Sequence, residues 1–431
     1  MDVSSRVIAS QSLTSSDSLS IGVIGGGVVG SLAAISLSKA LSAVFNQFQI
    51  EVFEQFPQPS AQDQAYQQQY DARNLVVSSA SVDYFKQLQL WQQLSSEFVP
   101  IEELHISRLA GFGRSQIKAQ DEGVEALGYV ADMAQLTLTL LDLAQQDMHI
   151  HCHFNAKITK LTPIQQGYIV TTDTSSKQFD LIIIADGQYS WACKQLGIAG
   201  QEKMYPQQAL VTNITLEQPV ANIAYEQFFR GGAITLLPLT QQGYQHRMAL
   251  VWIDQLANLE RLEGVSDLSF LQQLARHLPA HLVPTQKGHS KIYPLRFQVR
   301  HERVRPHLVV IGNAAQSLHP IAAQGFNLAV RDIRDFTHTF AAQVASLGVC
   351  PALFSGSSMQ AFANARAQDV SKVSSFVQLL NLGFFSTRAL PFSGLLQDLA
   401  LTGFETIPGA KAGLSRFAMA GRPQTHQKAS Y

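Results

Sequence analysis

A glycine-rich turn between an apolar strand and a helix-like segment constrains the fold of this chain more than any other feature. Residues 21–24 form the apolar strand, and residues 31–41 are rich in Ala, Leu and Ser. Between them, Gly25, Gly27 and Gly30 have the spacing G-x-G-x-x-G. In a nucleotide-binding βαβ unit these glycines make the tight turn, let a pyrophosphate approach the backbone and permit close helix–strand packing. The spacing therefore predicts a Rossmann-like unit that binds a dinucleotide.

The second strand of this predicted unit ends at a carboxylate. Residues 49–53 are the strand, and Glu54 follows it. A carboxylate at that strand end can accept hydrogen bonds from the ribose hydroxyls of an adenosine. A glycine-rich turn that binds nothing is the alternative, but strand, turn, helix and Glu54 together favour a nucleotide site.

A second loop of the same kind lies at residues 312–332. It follows the apolar strand 308–311, contains His319 and Pro320, and leads into a helix-like segment at residues 328–336. The first backbone N–H groups of a helix have no intrahelical partner, and the helix dipole adds positive potential. The loop therefore predicts a site for an anionic or electron-rich ligand.

Two further positions are candidate ligand contacts. Asp186 and Gly187 follow a buried strand at residues 179–184, and open α/β sheets bind ligands at the carboxyl ends of their strands. A plain turn is the alternative. Arg73 follows the first predicted nucleotide segment and could contact a pyrophosphate, whereas a surface ion pair with Asp71 is the alternative.

Composition excludes several functional classes. The net charge of −1 over 431 residues argues against a nucleic-acid partner, which requires a basic surplus. Three cysteines, odd in number and far apart, fit a reducing cytoplasm better than a disulfide framework. His151 and His153 could bind a metal, but no third ligand lies near in sequence, so we expect an ordinary strand and no metal. No G-x-S-x-G hydrolase motif or P-loop occurs.

The chain shows no secretory signal and no stretch of membrane-span length, so a cytoplasmic protein is expected. Its C-terminal region is predicted to be helical, with one apolar face. Packing of this face against the body of the protein is one interpretation. The other is a peripheral contact with the inner face of the cytoplasmic membrane, or with another subunit. The apolar face comprises Val373, Phe376, Val377, Leu380 and Phe384, and nearby basic residues that favour the second interpretation are Lys411, Arg416, Arg422 and Lys428.

Taken together, these motifs resemble those of the flavoprotein aromatic hydroxylases, the single-component class with the p-hydroxybenzoate hydroxylase fold. The glycine motif with Glu54 matches the family's site for the ADP part of FAD. Asp186-Gly187 matches its Asp-Gly motif, which touches FAD and NAD(P)H, and Gly312-Asn313 matches the start of its motif for the flavin ribityl chain. The resemblance spans residues 21–421 and implies FAD as cofactor and NAD(P)H as co-substrate. The implied cofactor-binding residues are Gly25, Gly27, Gly30, Glu54, Arg73, Asp186, Gly187, Gly312, Asn313, Gln324, Gly325, Phe326 and Asn327.

Within this class the chain is most similar to the ubiquinone-biosynthesis hydroxylases, in particular the 2-polyprenyl-6-methoxyphenol hydroxylase branch. Residues 228–238, 293–295 and 408–421 carry this similarity. The wider family's Gly-Asp-Ala-Ala-His reads here Gly312-Asn313-Ala314-Ala315-Gln316, and the amide oxygen of Asn313 can still accept a ribityl hydroxyl. Other positions that depart from the family pattern are Ala185, Cys193 and Ala323.

The resemblance implies an enzyme that hydroxylates a polyprenylated phenol in ubiquinone biosynthesis with O2, through a flavin C4a-hydroperoxide. His319 and Pro320 are expected to line the flavin face. His319 is the best candidate for an acid or base, and loop packing is the alternative. A ubiquinone-biosynthesis complex is a candidate partner. Another ring position or phenol, a flavin reductase or halogenase of the same fold, and a non-catalytic FAD-binding assembly subunit remain the alternative functions.

The expected fold class is α/β (α+β): a Rossmann-like FAD-binding domain interleaved with an antiparallel-sheet substrate domain, and a helical C-terminus. Alternating apolar positions predict the antiparallel sheet, and residues 148–172 predict a hairpin. The predicted boundaries are a disordered tail at 1–19; FAD-binding segments at 20–100, 128–205 and 291–350; substrate-domain segments at 101–127 and 206–290; and a C-terminal helical region at 351–431.

Overall fold

The computed structural model describes residues 18–59, 73–239, 246–385, 397–399 and 401–403. The strands are β1 (Leu19–Ile24), β2 (Phe48–Phe53), β3 (Asn74–Ser78), β4 (Phe98–Ile101), β5 (Glu103–Arg108), β6 (Arg114–Lys118), β7 (Gly128–Asp132), β8 (Ile150–His153), β9 (Ile158–Ile164), β10 (Gly167–Thr172), β11 (Ser176–Phe179), β12 (Leu181–Ile184), β13 (Gly200–Leu216), β14 (Ile223–Phe229), β15 (Gly232–Pro238), β16 (Arg247–Gln255), β17 (Pro284–Lys287), β18 (Lys291–Arg300), β19 (Val304–Arg305), β20 (Leu308–Val310) and β21 (Gln316–Ser317). The α-helices are α1 (Val28–Ser42), α2 (Ser79–Gln87), α3 (Trp91–Leu94), α4 (Met133–Gln146), α5 (Trp191–Gln195), α6 (Leu256–Glu263), α7 (Asp267–Ala275), α8 (Gly325–Leu347) and α9 (Gly356–Phe385).

The nucleotide-binding half of the fold is built on a six-stranded sheet. Its strand order is β19-β20-β12-β1-β2-β8, and the five strands from β20 to β8 run parallel. On one face, α1 packs against α4 and α8 over a continuous apolar core that includes Ile21, Leu32 and Ile183. On the other face, the small sheet β9–β11 packs through Tyr168 and Val170. The carboxyl ends of β1, β2 and β12 therefore meet at one edge of the sheet.

A nine-stranded sheet forms the second half. Its strand order is β21-β18-β13-β16-β15-β14-β5-β6, with β17 pairing to β13, and only β5 and β14 are parallel partners among these described strands. One face packs on α6 and α7 through Trp252 and Phe270. A fourth sheet of the described residues, β3-β7-β4, is built from strands that flank β5 and β6 in sequence. This architecture confirms the predicted α/β fold, while the domain boundaries remain a prediction.

The predicted hairpin at residues 148–172 is wrong in its first part. β8 instead joins the edge of the parallel sheet beside β2, because Ile150 is buried in the core under the helices. The hairpin consists of β9 and β10 alone. His151 and His153 lie on β8, where His153 Nε2 is 3.1 Å from the carboxylate of Glu51.

The apolar face predicted in the C-terminal region lies on α9 and points inward. Val373 and Val377 are buried against Leu328 of α8, which supports the packing interpretation for this face. Residues 404–431, with the basic residues singled out from the sequence, lie outside the described residues, as do residues 1–17 of the predicted tail. No helix in the described ranges is both long and apolar enough to cross a membrane.

Candidate active site

The glycine turn between β1 and α1 has the geometry that its spacing predicts. Gly25 has φ of +102°, and a Cβ there would lie 2.7 Å from the carbonyl oxygen of Ala185. A Cβ on Gly30 would lie 1.8 Å from the carbonyl oxygen of Gly25, so that helix and turn meet with no room for a side chain. Around Gly27, in contrast, nothing lies within 4 Å of an added Cβ. Gly27 is also the N-cap of α1, without a side-chain cap. The open backbone at the helix N-terminus suits a phosphate group.

Glu54 lies beside this turn at the end of β2. Its Oε2 accepts a hydrogen bond from the N–H of Gly26 at 2.9 Å, and its Oε1 accepts one from the N–H of Phe56 at 3.1 Å. The carboxylate is partly exposed and lines the cavity described below. Backbone amides thus hold it in one orientation at the strand end, where a ribose would lie in a dinucleotide-binding fold.

Asp186 and Gly187 lie at the neighbouring strand end, after β12. The Oδ2 of Asp186 accepts from the N–H of Ala192 at 3.0 Å. Its Oδ1 is buried and has no hydrogen-bond partner within the described structure. Burial raises the pKa of this carboxyl. Gly187 has φ of +84° and carries the chain away from the sheet. An unpaired acceptor at a strand end can accept a hydrogen bond from a ligand.

The third motif brings its own first and last residues together. Gly312 has φ of +62°, and a Cβ there would lie 2.8 Å from Val29 Cγ1 in α1. Its N–H donates to Asp332 Oδ2 at 3.0 Å. Gln316, one of the residues that depart from the family pattern, donates from Nε2 to the same oxygen at 2.7 Å. Asn313 is exposed on the cavity side. The motif therefore places Asn313 on the cavity wall and uses Gln316 for support.

Helix α8 begins beside Asn313. A Cβ on Gly325 would lie 3.9 Å from Asn313 Oδ1, and the N-cap Gln324 makes no side-chain cap hydrogen bond. Asn327 uses its whole amide internally: Oδ1 accepts from Ser78 N–H and Ser81 Oγ, and Nδ2 donates to the carbonyls of Val76 and Ala323. The side chain of Asn327 therefore ties the loop to β3 and α2, and only its backbone remains for a cofactor.

His319 lies within this loop, on its buried side. Its side chain is 1% exposed and packs between the rings of Tyr205 and Phe385, at centroid distances of 4.8 and 5.1 Å. Nδ1 accepts from the N–H of Ile321 at 3.3 Å, and Nε2 has no partner within the described ranges. Burial lowers the pKa of His319 to about 4, so the ring is neutral near pH 7. This geometry favours the packing alternative over an acid–base role, which remains only a prediction.

A cavity of about 1310 Å³ joins these elements to the large sheet. It exceeds the roughly 300–1,000 Å³ that is typical of a pocket for one small ligand. At its sheet end, apolar side chains from β5, β14, β15, β16 and α9 form the walls. The predicted residues that line it are Gly25, Gly27, Glu54, Arg73, Asp186, Gly187, Asn313, Pro320, Gly325 and Phe326. The other predicted residues do not line the cavity but lie behind its wall: Gly30, Gly312, His319, Gln324 and Asn327.

Arg73 immediately precedes β3 and lines the cavity. Its guanidinium carbon lies 5.6 Å from the ring centroid of Tyr293. Asp71, its alternative partner in the sequence-based interpretation, lies outside the described residues. A pyrophosphate contact by Arg73 remains a prediction.

Comparison with known proteins identifies the nucleotide that this site holds. The family described as "FAD binding domain" matches residues 18–347. The chain belongs to this FAD-binding family. The open turn at Gly27, the fixed carboxylate of Glu54 and the orphaned Oδ1 of Asp186 fit an FAD laid along the strand ends. FAD is therefore the cofactor, as the resemblance implied.

Relatives and solved structures agree with this assignment. The 3-demethoxyubiquinol 3-hydroxylase of Escherichia coli is 26% identical over 329 residues, which cover 73% of this chain and 77% of the relative. The ubiquinone hydroxylase UbiL of Rhodospirillum rubrum is 26% identical over 314 residues, covering 72% and 70%. The crystal structure of p-nitrophenol 4-monooxygenase PnpA from Pseudomonas putida has a TM-score of 0.73 at 13% identity, covering 94% of this chain and 99% of that one. The fold is that of FAD-dependent monooxygenases.

Glu226 and Thr235 also line the cavity, although neither is among the residues predicted from the sequence. The available signal was a lone acid in the strand Ile223–Phe229, which is otherwise largely apolar. When the register of the sheet is unknown, a single acidic residue in such a strand is predicted to face solvent.

Proposed function

We propose that this chain is an FAD-dependent monooxygenase that hydroxylates a polyprenylated phenol, with NAD(P)H and O2 as co-substrates and 2-polyprenyl-6-methoxyphenol as the substrate. The observation that carries the proposal is the continuity of the cavity. It runs from the glycine turn, past Asn313 and Gly325, to the apolar face of the large sheet. An oxidisable ring on that face would share one enclosed space with the bound flavin.

Bound FAD supplies the redox chemistry, accepting hydride from NAD(P)H and reacting with O2. The chain supplies binding, orientation and shielding. The turn at Gly27 and the N-terminus of α1 bind the pyrophosphate, and Glu54 fixes the adenosine end. The N-terminus of α8, at Gly325 and Phe326, directs its amides and positive dipole end at the cavity. It stabilises negative charge on a bound electron-rich group there.

The sheet end of the cavity suits an apolar ring with an apolar tail. Its walls include Leu104, Ile106, Leu237, Val251 and Ile253, and Phe228 stacks on Phe384 of α9 at a centroid distance of 4.1 Å. These side chains exclude water from the reacting ring. The names of the two relatives, both ubiquinone-pathway hydroxylases, support a substrate of this class.

A different ring position is the alternative, and it is favoured by the name of the Escherichia coli relative, which specifies position 3 of a demethoxyubiquinol. Product analysis decides between them. The FAD-loaded protein is given 2-polyprenyl-6-methoxyphenol with NADPH, and the hydroxylated carbon is assigned by mass spectrometry and NMR. A hydroxyl at another position, or turnover of a demethoxyubiquinol alone, would replace the proposed step with the alternative. A protein that binds FAD and oxidises NADPH without any hydroxylated product would favour a reductase.

We also propose peripheral contact with the cytoplasmic face of a membrane, which would deliver a polyprenylated substrate. While one face of α9 points into the cavity, its other face exposes Leu379 and Leu382, each 67% exposed. Leu399, in the short described segment after α9, is 52% exposed. Large exposed apolar side chains, such as Leu379 and Leu382 on the outer face of α9, are typical of a lipid or protein contact.

A further inference from the structure

One carboxyl group interrupts the apolar face of the large sheet. Glu226 on β14 is paired in register with Thr235 on β15 and with Ile106 on β5. Thr235 is in turn paired with Val251 on β16. These four side chains form one row across four strands, and all four line the cavity. A carboxyl group in such surroundings costs free energy unless its oxygens find partners.

Only one oxygen of this carboxyl has a partner. The hydroxyl of Thr235 donates to Glu226 Oε2 at 2.6 Å. Oε1 is buried and has no hydrogen-bond partner among the described residues. An unpaired buried acceptor lowers the stability of the folded protein. An apolar residue in this row would avoid that cost, so stability gives no reason for an acid here. A cost of this kind is typical of a functional position.

The row lies against the loop that precedes α8. Ile106 and Val251, on either side of the Glu226–Thr235 pair, belong to the same apolar cluster as Leu318 and Ile321. Those two residues lie between Asn313 and Gly325, the residues that face the flavin end of the cavity. A ring bound between the row and the loop would therefore have the carboxyl of Glu226 at its edge.

We propose that Glu226 is a catalytic residue that binds the ring hydroxyl of the phenol and takes its proton. The inference rests on the proposed function. In the step, the phenol O–H bond breaks, its proton moves to Glu226 Oε1 and the electron pair stays on the phenolate oxygen. The pair keeps a charge of −1 throughout, so no additional charge is buried. The phenolate ring is richer in electrons and reacts faster with an electrophilic oxygen.

The acidity of the two groups fits this transfer. Burial raises the pKa of Glu226 to about 8, against the smaller lowering effect of the Thr235 hydrogen bond. A phenol has a pKa near 10, and proton transfer is most effective when donor and acceptor are close in pKa. The neighbouring groups on this face are Thr235, Val251 and Ile106, none of them titratable. Further along β5, Arg108 is paired with Asp398.

Helix α9, which also packs over this face, contributes only Phe376, Leu380 and Phe384 to the cavity wall. Arg73, just before β3, also lines the cavity. An arginine side chain stays protonated over the pH range of the assay. If the plot of wild-type kcat/KM against pH bends near pH 8, this limb would therefore reflect ionisation of Glu226 and not of a neighbour on these elements.

The test compares FAD-loaded wild type with Glu226→Gln, Glu226→Asp and Thr235→Val. The probe is 6-geranyl-2-methoxyphenol, and the readouts are its dissociation constant and the pH profile of kcat/KM. Wild type should show a kcat/KM that rises with pH to a limb near 8, where Glu226 ionises. Glu226→Gln should lose the limb and about 10²-fold or more in kcat/KM. Glu226→Asp should keep the limb at a lower rate. Thr235→Val should move the limb to higher pH, because the carboxylate loses its donor.

Glu103→Gln is the matched control, since Glu103 lies on the neighbouring strand β5, outside the cavity, and pairs with His105. It should leave both readouts unchanged. A Glu226→Gln enzyme within about threefold of wild type, with the same limb, overturns the inference while the proposed function stands. If Glu226→Gln does not retain FAD, Thr235→Val decides, and an unmoved limb overturns the inference. A wild type that holds FAD but neither binds nor oxidises the phenol overturns the inference and the proposed function together.

Discussion

The carboxylate of Asp332 accepts a hydrogen bond at 3.0 Å from the backbone N–H of Gly312, 20 residues earlier in the chain. The same buried carboxylate accepts from Gln316 and, at 2.7 Å, from Nε of Arg366 on α9. Asp332 is fully buried. The start of the loop that brings Asn313 and Gly325 to the cavity wall is therefore held to helix α8 by one buried charged group.

Replacing Asp332 with Asn should destabilise the protein and loosen the loop. Arg366 would lose its one fully buried counter-charge and keep only the partly exposed Asp369 and Asp335, which costs about 3–5 kcal/mol. Asp335→Asn is the matched control, because Asp335 also pairs with Arg366, at 3.3 Å, but is 30% exposed. The control should cost no more than about 1 kcal/mol. Urea unfolding of both variants measures the difference, and equal losses would contradict this role for Asp332.

Gly27 and Gly30 should respond differently to Ala. Gly27→Ala meets open space, so apoprotein stability should change by less than about 0.5 kcal/mol, while FAD affinity should fall tenfold or more because the pyrophosphate loses its approach. Gly30→Ala collides with the carbonyl of Gly25 and should cost roughly 1–3 kcal/mol in the apoprotein. Unfolding of the apoproteins and FAD titration by fluorescence check both. Unchanged FAD affinity in Gly27→Ala would contradict the placement of the pyrophosphate.

His319 should make the protein acid-sensitive. Its folded-state pKa of about 4 lies below the ordinary value of about 6.5, so the unfolded chain binds the proton more readily. The stabilising contribution is complete above pH 6.5 and is lost as the pH falls toward 4. Between pH 7.5 and pH 5 this amounts to about 2 kcal/mol.

His319→Asn keeps an acceptor for the N–H of Ile321 but does not titrate in this range. Its unfolding free energy should lack that part of the pH dependence. Phenol-stimulated NADPH oxidation should persist in this variant if His319 serves packing. A loss of more than about 10²-fold in turnover, with FAD still bound, would instead support an acid–base role.

The exposed leucines of α9 should determine membrane binding. Leu379→Glu with Leu382→Glu should reduce co-flotation of the FAD-loaded protein with liposomes that contain anionic lipid, since the apolar contact is lost. Leu268→Glu on α7 is the matched control, because Leu268 is also 67% exposed but lies elsewhere. If wild type, the double variant and the control float equally, the proposed contact is wrong.

Local motifs carried most of the sequence-based prediction. The glycines at Gly25 and Gly30 could be interpreted without a structure because their spacing encodes backbone approaches that only glycine permits. Glu54 and Asp186 could be located because parallel strands end at one edge of a sheet. The fold class followed from the same pattern.

Side chains whose roles depend on distant partners could not be placed in this way. In the sequence, Gln316 is a departure from the family motif, but in the structure it donates a hydrogen bond to Asp332. Asp332 on α8 meets Arg366 on α9 only when the two helices pack together. Glu226 depends on the register between β14 and its neighbours, which sequence does not specify. His319 was a candidate by residue type and proximity, but Tyr205 and Phe385 enclose it.

Incorporation of oxygen from 18O2 shows whether the bound flavin hydroxylates a ring held in the same cavity. The FAD-loaded wild type is given 6-geranyl-2-methoxyphenol and NADPH under 18O2, and the product is analysed by mass spectrometry. We expect a hydroxylated phenol carrying one 18O atom, formed in step with NADPH oxidation. An unlabelled product, or NADPH oxidation that yields only hydrogen peroxide whatever phenol is supplied, would contradict it.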